Sequence, residues 1–97
     1  MNLKPLTMTM SQQRHIFKMS HLEGTIMLCA LMLDNSDSDI TTESLRLLSG
    51  YSAPSVKRGL KSLVKNGYLK MEIRRDNGRY VGVHYTIIND LRRKEHA

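Results

Sequence analysis

The sequence predicts an α+β domain in which helices come first and a β-hairpin comes last. Apolar residues recur at helical spacing through the middle of the chain, and strict alternation replaces this pattern after Gly67. The two alternating runs are separated by Asp76-Asn77-Gly78, which is typical of a tight turn. A chain of 97 residues has room for one domain with a single modest core.

Residues 1–19 carry the least regular pattern in the chain. Pro5 argues against an early helix, and the apolar residues that follow it have no clean period. Three interpretations stay open for this segment: a disordered arm, a short helix from about Ser11, or a dimer-forming segment. We therefore divide the chain into an N-terminal arm or dimerisation segment (1–19), a folded domain (20–88) and a basic tail (89–97).

The first clear helix is predicted from Ser20 to Leu33. Ser20 and Glu23 have the spacing of a capping box, and the residues that follow are apolar around nearly the whole helix. Such a helix must be buried on more than one side, which favours a central core helix that also packs against a second chain. Cys29 lies in this run, so we expect a buried, inert thiol.

A polar loop over residues 34–39 follows, and it leads into a second short helix. The loop lacks the ordered ligands and the glycine of a calcium-binding loop, so no metal is assigned. Ile40 is a candidate for a short edge strand. Thr41 or Thr42 is expected to cap a helix that runs to about Leu48.

The next helix has the best-marked ends. Ser52 is a good N-cap, Pro54 fits the first turn, and Gly67 can adopt the left-handed conformation that ends a helix. With the short helix before it and the turn at residues 49–51, it forms a helix-turn-helix. Its apolar face comprises Val56, Leu60, Leu63 and Val64. The opposite face has no acidic residue and consists of Pro54, Ser55, Arg58, Lys61, Ser62 and Lys65.

The pairing of the hairpin is predicted from the alternation of its two strands. A two-residue loop at Asn77-Gly78 would put the apolar residues of the two strands on opposite faces. A three-residue loop over Asp76–Gly78 puts them on one face, with the pairs Ile73–Val81, Met71–Val83 and Leu69–Tyr85. We therefore predict the three-residue loop, with Gly78 in the left-handed position and three arginines around the tip.

Positive charge is concentrated in one part of the chain. The net charge is +6, and residues 57–79 alone hold eight basic residues against two acidic ones. Clustered positive charge is the electrostatic footprint of a phosphate-binding surface. No apolar run is long enough to span a bilayer, and the N-terminus lacks a hydrophobic signal core. These observations predict a cytoplasmic protein, most simply of bacterial or phage type, without a membrane partner.

An enzymatic function is not expected. The sequence has no glycine-rich phosphate loop, no nucleophile beside a base, and no metal-ligand spacing among its histidines. Accordingly, no catalytic residue, cofactor or metal is assigned, and a small-molecule effector is not expected. The tail predicts a short helix capped by Asn89 or Asp90, with basic residues at Arg92, Arg93 and Lys94.

A helix, a helix-turn-helix and then a basic hairpin follow one another in this chain, and residues 47–87 resemble the winged helix-turn-helix superfamily. The apolar ending of the last helix, Leu63–Leu69, and its direct passage into the hairpin carry much of the likeness. The segment is similar to small prokaryotic transcriptional regulators and to the DNA-binding domains of phage and plasmid replication initiators. The resemblance implies three core helices with a C-terminal wing, and extra helices at the termini are compatible with it.

The resemblance further implies a sequence-specific, nucleoid-associated regulator that binds double-stranded DNA as a homodimer, with two recognition helices about one helical turn apart. Arg58 is the preferred base-reading residue, because a guanidinium can contact guanine through two hydrogen bonds. The remaining candidates for base contact are Ser52, Ser55, Lys61 and Ser62, with apolar contact from Pro54. The candidates for phosphate or minor-groove contact are Lys57, Lys65, Lys70, Arg74, Arg75 and Arg79. A phage or plasmid replication or partition factor, and a winged-helix protein-interaction module, stay open as alternatives.

Overall fold

The structure is a computed structural model that describes residues 3–91. Within this range four helices precede a two-stranded antiparallel hairpin, which confirms the predicted α+β class and the order of its elements. The elements are α1 (Met10–Lys18), α2 (His21–Asn35), α3 (Thr42–Ser49), α4 (Ala53–Lys65), β1 (Leu69–Asp76) and β2 (Arg79–Ile87).

The helix α2 is the centre of the core. Seven of its fifteen residues are buried, and Ile26, Met27, Ala30 and Leu33 are fully enclosed. It packs against α1, α3, α4 and β2, and apolar residues of the N-terminal segment cover the same core. The prediction of a central core helix is therefore confirmed. Because one chain covers α2, its apolar circumference does not by itself require a second chain.

The N-terminal segment belongs to this packed unit. Its helix α1 is capped by Thr9, and the buried side chain of Gln12 donates from Nε2 to the carbonyl of Asp90 at 2.9 Å. Ser11 Oγ donates to the carbonyl of Leu91 at 3.0 Å, and the side chain of Leu91 is fully buried. Of the three interpretations of residues 1–19, the structure contains the short helix. The predicted tail helix and Arg92, Arg93 and Lys94 fall mostly or wholly outside the described residues.

The predicted helix caps are present. Ser20 Oγ accepts the N–H of Glu23 at 3.2 Å, Thr41 Oγ1 accepts the N–H of Ser44 at 3.0 Å, and Ser52 Oγ accepts the N–H of Ser55 at 3.4 Å. Each bond satisfies one of the backbone donors that a helix start leaves unpaired. Two glycines have the positive φ expected of helix ends, 81° at Gly50 and 83° at Gly67.

The hairpin shows that the predicted loop and register are wrong. Its loop is the two-residue Asn77-Gly78 turn, with φ values of 54° and 79°, as a type I′ turn requires. The predicted pairs Ile73–Val81, Met71–Val83 and Leu69–Tyr85 are replaced by Ile73–Val83, Met71–Tyr85 and Leu69–Ile87. The left-handed conformation predicted for Gly78 is confirmed.

A β-bulge reconciles the short turn with the apolar face. Arg74 pairs with Gly82 while Arg75 pairs with Tyr80, so Val81 is an extra residue in β2. Gly82 has a φ of 148°, which favours glycine at the bulge. The extra residue shifts the alternation by one, so the apolar residues of both strands still share a face. The requirement that the apolar residues of both strands share one face was correct. The bulge in β2 meets this requirement, and a longer loop is not needed.

The predicted edge strand at Ile40 is a single β-bridge. Tyr85 donates its N–H to the carbonyl of Ile40 at 2.8 Å, on the side of β2 away from β1. Ile40 is buried, so the bridge ties the segment before α3 to the hairpin and to the core at once.

Candidate nucleic-acid interface

The helix α4 is held close to α2 by a glycine. Val56, Leu60 and Leu63 are buried on its inner face, as predicted, together with Gly59. A Cβ placed on Gly59 would lie 3.0 Å from Cγ1 of Ile26, which is itself fully buried. The absence of a side chain therefore allows the two helix backbones to approach, and this contact determines where the outer face of α4 lies.

The outer face of α4 is exposed and cationic. Lys57, Arg58, Lys61 and Lys65 are all exposed, and none has an ion-pair partner among residues 3–91. At about 100° per residue, these four side chains and Pro54 occupy one continuous arc of the helix. The predicted cationic front of this helix is thus a solvent-facing surface of unpaired charge.

The serines predicted on α4 differ in their surroundings. Ser52 Oγ caps the helix and donates to Ser55 Oγ at 3.2 Å, so both lie at its N-terminal end beside the exposed Pro54. Ser62 Oγ donates a hydrogen bond to Oε2 of Glu23 on α2. Its proton is therefore engaged inside the protein, so Ser62 can donate to a base only if Glu23 gives up this bond, whereas its oxygen can still accept a hydrogen bond from a base.

Glu23 connects the start of α2 to the flank of α4. Its second oxygen, Oε1, accepts from Ser20 Oγ at 3.1 Å. The hydrogen bond from Ser62, helped by those from Ser20, holds the pKa of the Glu23 carboxyl below its ordinary value. The negative charge of Glu23 therefore borders the cationic arc of α4 on the side where Ser62 lies.

Two of the four hairpin cations, Lys70 and Arg74, are paired with acidic residues on its outer face. Lys70 lies 3.6 Å from Glu72, and the Arg74 guanidinium lies 2.9 Å from the carboxylate of Asp39. Arg74 Nε also donates to His84 Nδ1 at 3.2 Å, and His84 Nε2 lies 2.9 Å from Glu72.

The two remaining hairpin cations lie at its tip. Arg75 and Arg79 are exposed and have no ion-pair partner in the described part of the chain. Arg75 pairs with Tyr80, and the register puts both on the apolar face of the hairpin, whereas Asp76 and Arg79 share the outer face.

A cleft separates α4 from the apolar face of the hairpin. Lys57 and Lys61 line its helix side, and Met71, Tyr80 and Tyr85 line its hairpin side. Glu43 at its rim is held by Arg46, with 2.7 Å between Oε2 and Nη2. The unpaired lysines of α4 and the side of the hairpin that carries Arg75 therefore border the same depression.

Three residues that shape this surface were missed at the level of the sequence. Gly59 had a detectable signal, because a glycine on the apolar face of a well-formed helix costs stability unless close packing requires it. Glu23 was predicted only as a cap, and Asp39 only as a loop acid. Their contacts with Ser62 and Arg74 join residues far apart in the chain, and no local pattern indicates them.

The described residues also bear on metal binding, thiol chemistry and membrane crossing. No group of three or more histidine, cysteine, aspartate or glutamate side chains there is arranged to hold a metal ion. Cys29 is buried, as predicted, and its burial raises the thiol pKa. Across residues 3–91, no helix has both the length and the apolar character needed to cross a bilayer.

Comparison of the chain with protein-family models, with curated proteins and with solved structures finds no match. Functional inference therefore depends on the geometry of the chain itself.

Proposed function

We propose that this protein is a sequence-specific, double-stranded-DNA-binding transcriptional regulator of winged helix-turn-helix type. In this proposal α4 enters the major groove and the hairpin contacts the neighbouring backbone or minor groove. The observation that carries it is the exposed arc of Lys57, Arg58, Lys61 and Lys65, which has no acidic partner in the described chain. Cations left unpaired on one helix face suit a polyanion that can release its counterions when they bind.

The order of the elements supports the winged-helix assignment. The glycine turn between α3 and α4 joins two capped helices, and α4 passes into β1 after the left-handed Gly67. The bridge from Ile40 to Tyr85 adds the segment before α3 to the far side of β2. A helix-turn-helix flanked by such a sheet is the arrangement that the winged-helix resemblance implies.

The geometry divides the predicted contact residues into three groups. Arg58 and Lys61 are the preferred base-contacting residues, near the middle of the length of α4, with Pro54, Ser52 and Ser55 at the helix start. Lys57, Lys65, Arg75 and Arg79 are the preferred phosphate ligands, because they are exposed and unpaired within residues 3–91. Lys70, Arg74 and Ser62 are less preferred, because each already has a partner within the protein, Glu72, Asp39 and Glu23 respectively.

The experiment that tests this function is duplex-DNA binding across a range of salt concentrations, at nanomolar protein. If about four to six phosphates are neutralised, the logarithm of the association constant should fall linearly with the logarithm of salt, with a slope of about −4 to −5. Selection of bound oligonucleotides from a random pool should then enrich one sequence. Absence of binding to duplex DNA at low salt contradicts the proposal, as does binding that selects no sequence.

A further inference from the structure

The strand β1 has one edge that no other strand occupies. It pairs with β2 along one side, and Ile40 adds to β2 on the far side, so the second edge of β1 carries unpaired backbone groups in the described chain. Exposed edges of this kind can accept another strand, and natural proteins commonly block them.

The side chains of β1 are unusually exposed on its apolar face. Met71 and Ile73 alternate with charged residues and lie on the same face of β1 as Leu69. Leu69 is buried, whereas Met71 and Ile73 are each 51% exposed. These two residues form an apolar surface directly beside the open backbone edge. A second strand added there would cover both features together.

The charges of β1 are complementary to those of a second, antiparallel copy of β1. We propose that this edge pairs two copies of the chain around a two-fold axis at Ile73. Residue i then lies opposite residue 146 − i, so Glu72 faces Arg74 of the partner and Lys70 faces Asp76 of the partner. Every charged pair on the outer face joins opposite signs, which stabilises an antiparallel pair, whereas like charges destabilise it.

The apolar face contributes one apolar pair in this register. Ile73 lies opposite Ile73 of the partner, and Met71 lies beside it on the diagonal and opposite Arg75 of the partner. Ile73 meets its own copy on the axis and the Met71–Arg75 contact occurs twice, so the interface is isologous, as a closed dimer requires. Charges on an edge strand ordinarily prevent pairing, but here their order makes the strand complementary to itself.

The existing contacts of these residues do not oppose the pairing strongly. The Lys70–Glu72 pair is 3.6 Å long with its side chains 62% and 36% exposed, and the Arg74–Asp39 pair is 45% and 58% exposed. Glu72 and Arg74 also contact His84 on β2, at 2.9 Å and 3.2 Å, and a carboxylate and a guanidinium have further acceptor and donor positions for a partner strand. Ion pairs at such exposed positions contribute little, so their charges can reorient toward a partner. A two-fold axis perpendicular to the sheet also leaves both copies of α4 on the same side of the extended sheet.

Cysteine cross-linking tests the register without reference to DNA. Ile73→Cys puts two thiols opposite each other on the axis, at a separation that a disulfide can bridge, so mild oxidation should give a covalent dimer. Met71→Cys is the matched control, because its two thiols would be about 13 Å apart along the strands. A mixture of Met71→Cys and Arg75→Cys should cross-link where each alone does not. The unaltered chain, whose Cys29 is buried, supplies the baseline.

The second test exchanges charges on β1 and measures the molecular mass of the protein by light scattering. The protein concentration is about 200 micromolar, at which a dimer with a small interface of this kind should form. Glu72→Lys or Arg74→Glu alone turns two symmetry-related pairs repulsive and should weaken dimerisation about tenfold. The double variant Glu72→Lys with Arg74→Glu should restore it.

Three results would overturn the proposal: a monomer at every concentration, equal cross-linking of Ile73→Cys and Met71→Cys, or dimerisation that the charge exchanges leave unchanged. None of them depends on DNA. Loss of the proposed dimer therefore leaves the DNA-binding proposal standing, and loss of DNA binding leaves the dimer standing.

Discussion

The cations of α4 and those of the hairpin have different neighbours. On α4, Lys57, Arg58, Lys61 and Lys65 are exposed and have no ion-pair partner within residues 3–91. On the hairpin, Lys70 and Arg74 are paired with Glu72 and Asp39, so Arg75 and Arg79 supply the unpaired charge. Formal charge counted along a sequence therefore overestimates the charge that the hairpin presents to a ligand.

The two regions also differ in how they are held. The position of α4 is fixed by close packing of Gly59 on Ile26 and by the bond from Ser62 to Glu23. The hairpin, by contrast, projects beyond the core, since Leu69 is buried while Met71, Ile73, Tyr80 and Val81 are exposed. A helix that is packed firmly on the core suits recognition of bases. A projecting hairpin suits contacts with the DNA backbone or with another β-strand.

The largest expected effect on stability comes from disturbing the packing of α4 against α2. Gly59→Val forces side-chain atoms against the buried Ile26 and should lower the free energy of unfolding by about 2–3 kcal/mol, because the packed core has no room for them. Gly78→Ala at the hairpin tip is the comparison; at a φ of 79° it should cost only about 1 kcal/mol. Urea denaturation measures both, and equal losses would show that α4 is not more tightly held than the hairpin.

The second prediction concerns DNA affinity. Arg58→Ala should cost about 1–3 kcal/mol of binding to the selected sequence and reduce the preference for one base pair. Arg74→Ala should change affinity less than about threefold, because Arg74 already pairs with Asp39. Titrations on selected and random duplexes compare the two. If Arg58→Ala weakens both duplexes equally, Arg58 does not read a base.

The third prediction concerns Arg74, a hairpin cation that is paired with Asp39. Asp39→Asn removes the partner of Arg74 and should change stability by less than about 1 kcal/mol, since both side chains are partly exposed. DNA affinity at low salt should rise, with a salt slope steeper by up to about one unit as Arg74 becomes available. Adding Arg74→Ala should cancel the gain. A slope that stays the same after Asp39→Asn would place the outer face of the hairpin away from DNA.

The smallest expected effect is a pH dependence at the flank of α4. The pKa of Glu23 is lower in the folded protein than in the unfolded chain, chiefly because Ser62 donates to the carboxylate. Its contribution is therefore present above the unfolded pKa of about 4.3 and is lost as pH falls through the folded value. Thermal unfolding below about pH 5 should show a shallower loss of stability for Glu23→Gln and for Ser62→Ala than for the original chain. If the variants and the original chain lose stability identically as pH falls, ionisation of Glu23 does not stabilise the packing of α4.

Much of the secondary structure could be predicted because its causes are local. The caps at Ser20, Thr41 and Ser52 and the left-handed glycines at 50, 67 and 78 depend on neighbouring residues, and all are present. The exposure of the cationic face of α4 follows from helical spacing alone once its apolar side is buried. DNA binding by that face, and the role of each residue in it, stay predictions.

What the amino-acid sequence determined by itself was the helices α2, α3 and α4 and the two strands, their order and the charge along each one, since these depend on spacing and on residues a few positions apart. Tertiary structure alone decided which cations remain unpaired, how closely α4 approaches α2, and how the hairpin combines an Asn-Gly turn with a bulge at Val81. Those features arise where distant segments meet. The energies that select among such contacts depend on packing and on charge partners that a local pattern does not contain.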